Sequence, residues 1–197
     1  MKNFGTIAIL IGLSLSTAIA SDAKTDCAQL RGAKPQAQLE YLQGERSALS
    51  DACMIYAMDQ LARAEYAPSI DVLIKLLDYH IPDPHKTGEP FVQQTVPWLG
   101  TWYPAARGLL AAGKTAVPSL IAAIADAGTS GLIRKNATEL VLLIYREEVP
   151  EGAAVLNRAG RAATSPDVRQ RLLDAARDLA GKCPEPQRGA CLANALK

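Results

Sequence analysis

The stretch from Pro104 to Asp126, PAARGLLAAGKTAVPSLIAAIAD, constrains this chain more than any other. It reads as two short helices packed as a hairpin. Pro104 suits the first turn of a helix, where a missing N–H costs nothing. Gly113 suits the left-handed position just past that helix. Thr115 is placed to cap a second helix, with Pro118 in its first turn. Leu120, Ile121 and Ile124 then fall on one apolar face. Neither helix is long enough to stand alone in water, so the unit needs neighbours.

The chain supplies them in register. Ala67-Pro68-Ser69-Ile70 matches Val117-Pro118-Ser119-Leu120, and Val149-Pro150 matches Val117-Pro118 again. Pro118 and Pro150 are 32 positions apart, whereas Pro68 and Pro118 are 50 apart. The excess of 18 corresponds to a proline-rich, non-periodic stretch at 79–97, and removing it leaves a common period of 32. Arg107, Arg134 and Arg169 mark the same phase. Ile133-Arg134-x-x-Ala137-x-x-Leu140 and Val168-Arg169-x-x-Leu172-x-x-Ala175 share one pattern. Asp71 and Gly152 interrupt the apolar positions of the first and third copies. The arginines are read as structural, pairing between repeats with Asp78 or Asp126.

Over residues 47–181 this pattern resembles HEAT-like repeats: an apolar-Arg-x-x-small helix, a turn, then a helix opening on Val-Pro-x-Leu. The resemblance implies an all-α fold, a right-handed α-solenoid of about four helical hairpins, capped at both ends. It also implies a role in protein contacts, because such arrays mostly act as scaffolds.

Residues 1–20 read as a signal peptide and not as part of the fold. Lys2 is the only charge, Ile7–Leu15 is apolar, and Ala18-Ile19-Ala20 offers a cleavage site. Residues 21–197 then form a single domain of 177 residues from the 197, exported to a periplasm or secreted. Loss of Lys2 takes the formal charge from +1 to zero, which leaves no electrostatic footprint for nucleic acid, and no membrane span is expected in the mature chain. Four cysteines in an exported chain read as disulfides. Three pairings are possible. Cys27–Cys53 and Cys183–Cys191 are favoured because a solenoid keeps its ends apart, and each bridge would staple one fraying end. A zinc site is the rival, but no C-x-x-C pair occurs.

Helices are predicted over 35–43 and 47–64, separated by Gly44, and over 67–78. Met54, Ile55, Met58 and Leu61 recur at helical spacing and read as core. Later helices are predicted from Leu132 to about Arg146 with Ser130 as cap, over 150–163, from Ser165-Pro166 to Gly181, and over 187–196. Gly152 and Gly160 are expected to weaken the helix that holds them. Asn136-Ala137-Thr138 matches a glycosylation triplet but sits mid-helix and is read as chance.

The insertion, YHIPDPHKTGEPFVQQTVP, holds both histidines. With the segment behind it, it carries Tyr79, Phe91, Trp98, Trp102 and Tyr103, five of the ten aromatic side chains. Two readings stay open. The aromatics pack back over the array, or Tyr79, His80, His85, Phe91, Trp98, Trp102 and Tyr103 form a patch for a protein or peptide. A third candidate is a metal site of Asp78, His80, Asp83 and His85, although no recognised ligand spacing supports it.

Enzyme motifs are absent: there is no G-x-S-x-G, no Walker loop, no dinucleotide fingerprint and no zincin helix. No cofactor is implied. The sequence therefore reads as an exported, non-enzymatic scaffold that binds an unidentified protein or peptide. The alternatives are a metal-binding protein or metal-dependent enzyme centred on His80 and His85, and a structural module assisting another envelope protein.

Overall fold

The computed structural model describes residues 27–81, 99–183 and 188–195. The expected signal peptide and most of the insertion lie outside them. All regular structure among the described residues is helical. A 3-10 turn, Cys27–Leu30, leads into α1 (Pro35–Leu42) and, after a second 3-10 turn at Arg46–Ala48, α2 (Asp51–Arg63). A third 3-10 turn, Ala67–Ser69, opens α3 (Ile70–Lys75). Beyond the insertion come α4 (Leu99–Trp102), α5 (Pro104–Ala112), a 3-10 turn at Gly113–Ala116 and α6 (Val117–Ala125). The chain closes with α7 (Gly131–Ile144), α8 (Val149–Ala162), α9 (Pro166–Gly181) and α10 (Arg188–Ala195).

Local chemistry accounts for most boundaries. Pro35, Pro104, Pro118, Pro150 and Pro166 each occupy one of the first two positions of a helix, where no intrahelical N–H bond is lost. Ser130 caps α7 by accepting a bond from the Ile133 amide at 3.2 Å. The end of α2 carries no glycine signal, yet it closes in a Schellman turn. The Tyr66 amide bonds Leu61 O and the Glu65 amide bonds Ala62 O. Glu65 sits there at φ 47°, a conformation glycine would adopt more easily.

Several sequence expectations change. The predicted helix over 47–64 is broken, because Leu49 and Ser50 are extended between a 3-10 turn and α2. Thr115 does not cap α6. It lies inside the 3-10 turn, and the residue before α6 is Ala116, which has no side chain to accept a bond. Gly113 does take a positive φ of 58°, but with ψ −137°. The hairpin expected at 104–126 does not form by packing α5 on α6. The chain bends at Gly113 without folding α6 back along α5, and each helix finds other neighbours. α5 lies on α2 and α3, and α6 lies on α7 and α9.

One apolar cluster runs through the described chain. It joins Met54, Met58 and Leu61 of α2 to Leu73, Leu109, Leu120, Leu140, Leu156 and Leu179 of successive helices. Leu120, Ile124, Leu140 and Leu172 are all buried, as their spacing predicts. The most intimate pair is α8 with α9. Gly152 and Gly160 make it possible. A Cβ on Gly152 would lie 2.8 Å from the Tyr145 Cβ and 3.0 Å from Leu179 Cδ2. A Cβ on Gly160 would lie 3.1 Å from Leu173 Cδ2. These glycines are points of close approach, not simply weak spots in a helix.

The arginines of the repeat phase occupy the same position, the fourth residue, of α5, α7 and α9. Their partners differ from expectation. Arg107 pairs with Asp59 of α2 at 2.7 Å. Arg134 donates to Thr129 O and Arg169 to Ala163 O, each tying down the turn before its own helix. Asp78 is instead engaged by Arg46 at 3.2 Å. Asn136 is buried, and its amide donates to Leu77 O at 2.7 Å, so the glycosylation triplet is shielded within the fold.

Cys27 and Cys53 form the expected disulfide, with Cα atoms 5.4 Å apart, tying the first 3-10 turn to α2. Such a bond fits an oxidising environment. Cys183 is also disulfide-bonded. The side chain of Cys191, its expected partner, lies outside the described residues.

Candidate functional site

The insertion leaves and rejoins the fold at one place. The chain ends α3 with a tight turn in which the Tyr79 amide bonds Leu76 O. Two residues later the Ile81 amide donates to Trp102 O at 2.8 Å. This bond pins the outgoing strand of the excursion to α4 on its return.

The base beneath this mouth is polar and interlocked. Tyr79 is buried, and its hydroxyl donates to Asp51 Oδ1 at 2.9 Å at the start of α2. The Arg46 guanidinium lies over the Tyr79 ring, 5.5 Å from its centroid, while it pairs with Asp78. Burial, then the bond to Asp51 and that carboxylate's charge, push the Tyr79 hydroxyl up to about 12, with Arg46 acting in the opposite direction. Tyr79 is therefore part of the foundation and does not present its ring to solvent. Neither Arg46 nor Asp51 was marked by the sequence.

Above this base, His80 is exposed and tilts against Tyr103, with ring centroids 6.5 Å apart. Trp102 and Tyr103 are both half-buried. The structure thus brings His80 against Tyr103, with the Trp102 main chain tied to Ile81 beside them and Tyr79 in the base. His85, Phe91 and Trp98 lie outside the described residues. Of the alternative metal set, Asp78 and His80 are described, and the Asp78 carboxylate is occupied by Arg46. Asp83 and His85 lie outside. Among the described residues no group of three or more His, Cys, Asp or Glu side chains is placed to hold a metal ion.

The described part of the mouth offers flat aromatic surface, an imidazole and main-chain polar groups. Those are means of binding by stacking and hydrogen bonding. No family model, curated protein or solved structure matches this chain.

Proposed function

We propose that this chain is an exported, non-enzymatic scaffold, a short right-handed α-solenoid of about four HEAT-like helix pairs capped at both ends, in which the 104–126 pair is opened out rather than closed as a hairpin. It holds a protein or peptide through one helical face and the aromatic insertion. The repeat reading draws support from packing between corresponding helices, α2 with α5, α3 with α6 and α8 with α10. It also draws support from the shared position of Arg107, Arg134 and Arg169. Export draws on the disulfide and on the sequence of residues 1–20.

The observation that carries the binding role is the Ile81–Trp102 bond. It ties the start of the excursion to the main chain of α4, beside the His80–Tyr103 ring contact. A binding patch needs that pre-organisation, because side chains ordered beforehand lose less entropy on association.

The test replaces 83–97 with a short Gly/Ser linker and keeps Ile81 and Trp102. Thermal unfolding and cross-linking to native envelope proteins are then compared with the unaltered chain. Near-unchanged melting with loss of a specific cross-linked partner supports the scaffold. A large fall in melting temperature with every partner retained means that the insertion only covers the fold. Stoichiometric metal in the purified protein, lost with the linker, would establish the metal-binding alternative.

A further inference from the structure

A second feature lies away from the insertion. α7 and α9 flank an open groove of about 470 Å³, with Ile124 and Ala175 as its apolar floor. That volume is within the usual range for ligand sites, about 300–1,000 Å³. Its charges are sorted by position. Arg134 and Lys135 near the start of α7 and Arg171 near the start of α9 give one basic end. Toward the helix C-termini, Lys182 bridges Glu139 at 2.9 Å and Asp178 at 3.8 Å. Asp174, between the two ends, is engaged by Arg177 at 2.5 Å and Gln170 at 2.8 Å.

Each carboxylate of the groove thus has a basic partner, Glu139 and Asp178 sharing Lys182, whereas the basic end has no carboxylate partner of its own. Among the described residues no carboxylate comes within 4.0 Å of Arg134, Lys135 or Arg171. The two guanidiniums are instead held by neutral main-chain oxygens. Arg134 donates to Thr129 O, and Arg171 donates to Ala125 O at 2.6 Å. Those bonds orient the guanidiniums without cancelling their charge. Asp126 lies near enough to attract both arginines. Its own oxygens accept from the Gly128 amide and the Thr129 hydroxyl, each at 2.9 Å, and it does not line the groove.

We infer that this groove docks an acidic peptide segment, with Arg134, Lys135 and Arg171 receiving its carboxylates and the apolar floor receiving a small side chain between them. The inference deepens the scaffold reading and rests on it for the class of partner. From Arg171 to Lys182 the α9 wall is about 16 Å long, which matches about five extended residues. A single inorganic anion would leave most of that length unused.

The probe is a fluorescein-labelled, capped Ala-Glu-Ala-Glu-Ala peptide, with the Ala-Gln-Ala-Gln-Ala peptide as its neutral counterpart. Fluorescence anisotropy is read on the mature protein. The glutamate peptide should bind, its affinity should fall as salt rises, and the glutamine peptide should bind at least about tenfold more weakly. Lys135→Glu reverses an exposed charge that has no ion pair to lose, and should weaken binding about tenfold. Lys75→Glu, an equal charge reversal on α3, should leave it unchanged. Equal binding of the two peptides, equal loss in both variants, or displacement by inorganic phosphate as effective as by unlabelled peptide would each overturn the inference. The chain with 83–97 replaced should keep peptide binding, and loss there would move the site to the insertion and overturn the groove. No peptide binding by the unaltered chain would sink the groove alone, because the cross-linking test of the insertion stands independently.

Discussion

Replacing Gly152 with alanine separates two views of α8. Read from helix propensity alone, the exchange should stabilise, since alanine is favoured over glycine by about 1 kcal/mol inside a helix. The packing opposes this. The new Cβ would meet Tyr145 Cβ at 2.8 Å, and Tyr145 Cδ2 and Leu179 Cδ2 at 3.0 Å each. Favourable carbon contacts lie at about 3.5–4.0 Å. Tyr145 Cβ is one bond from the main chain and cannot swing aside, so α8 itself must move away from its neighbours. Overpacking of this kind costs about 1–3 kcal/mol, and an immovable contact belongs in the upper part of that range. Set against the propensity gain, the net loss should be about 1–2 kcal/mol, or roughly 2–8 °C in melting temperature for a chain of this size. Urea titration followed by circular dichroism measures it, with an unchanged slope showing that only stability has moved. Gly181→Ala is the control. It sits at the end of α9 with nothing within 4 Å of its Cβ position, and should be neutral or stabilising by up to about 1 kcal/mol. A midpoint for Gly152→Ala at or above that of the unaltered chain would refute the close-approach argument.

Leu120→Ala removes a side chain with no exposed surface and should cost about 2–5 kcal/mol by urea titration, and a loss well under one would mean that α6 does not bury that face. Non-reducing peptide mapping should recover Cys27 joined to Cys53, and replacing both with alanine should cost about 3 kcal/mol, since the bridge closes a loop of 26 residues. Tyr79 ionises at about 12 in the folded chain against an ordinary value near 10, so the folded state holds its proton longer than the unfolded state. Its contribution is therefore complete below pH 10 and is lost as pH rises from about 10 to 12. Tyr79→Phe should flatten that alkaline fall in stability, and an identical profile in both proteins would show that Tyr79 does not report the Asp51 contact. Glu65→Gly should raise the melting midpoint, because glycine accepts the positive φ at the end of α2, and a lowered midpoint would contradict the strain at that turn.

The mouth of the insertion was legible only in part. His80, Trp102 and Tyr103 were marked by composition, and of these the rings of His80 and Tyr103 meet. Tyr79 was marked with them, yet it belongs to the base. The difference is a matter of partners: its hydroxyl finds Asp51 and its ring finds Arg46, residues 28 and 33 positions earlier in the chain. Nothing in either neighbourhood announces the other. The groove between α7 and α9 was not legible in the sequence, because its basic end is assembled from Arg134, read there as an inter-repeat pairing residue, and Arg171, far from it along the chain.

What the sequence by itself determined was where most helices begin and which faces are apolar. Pro104, Ser130 and Pro166 act on backbone groups within a few residues, and Leu120, Leu140 and Leu172 declare their burial by spacing alone. Those effects are local, so local residues suffice to specify them. Which helix meets which was decided only by tertiary structure. The apolar face of α6 is compatible with α5 on one side or α7 on the other, and the bend at Gly113 together with the competing surfaces settles on α7. The meaning of Gly152 was likewise decided there. A missing side chain is a defect beside open space and a requirement beside Tyr145, and the distance between two helices belongs to both of them at once.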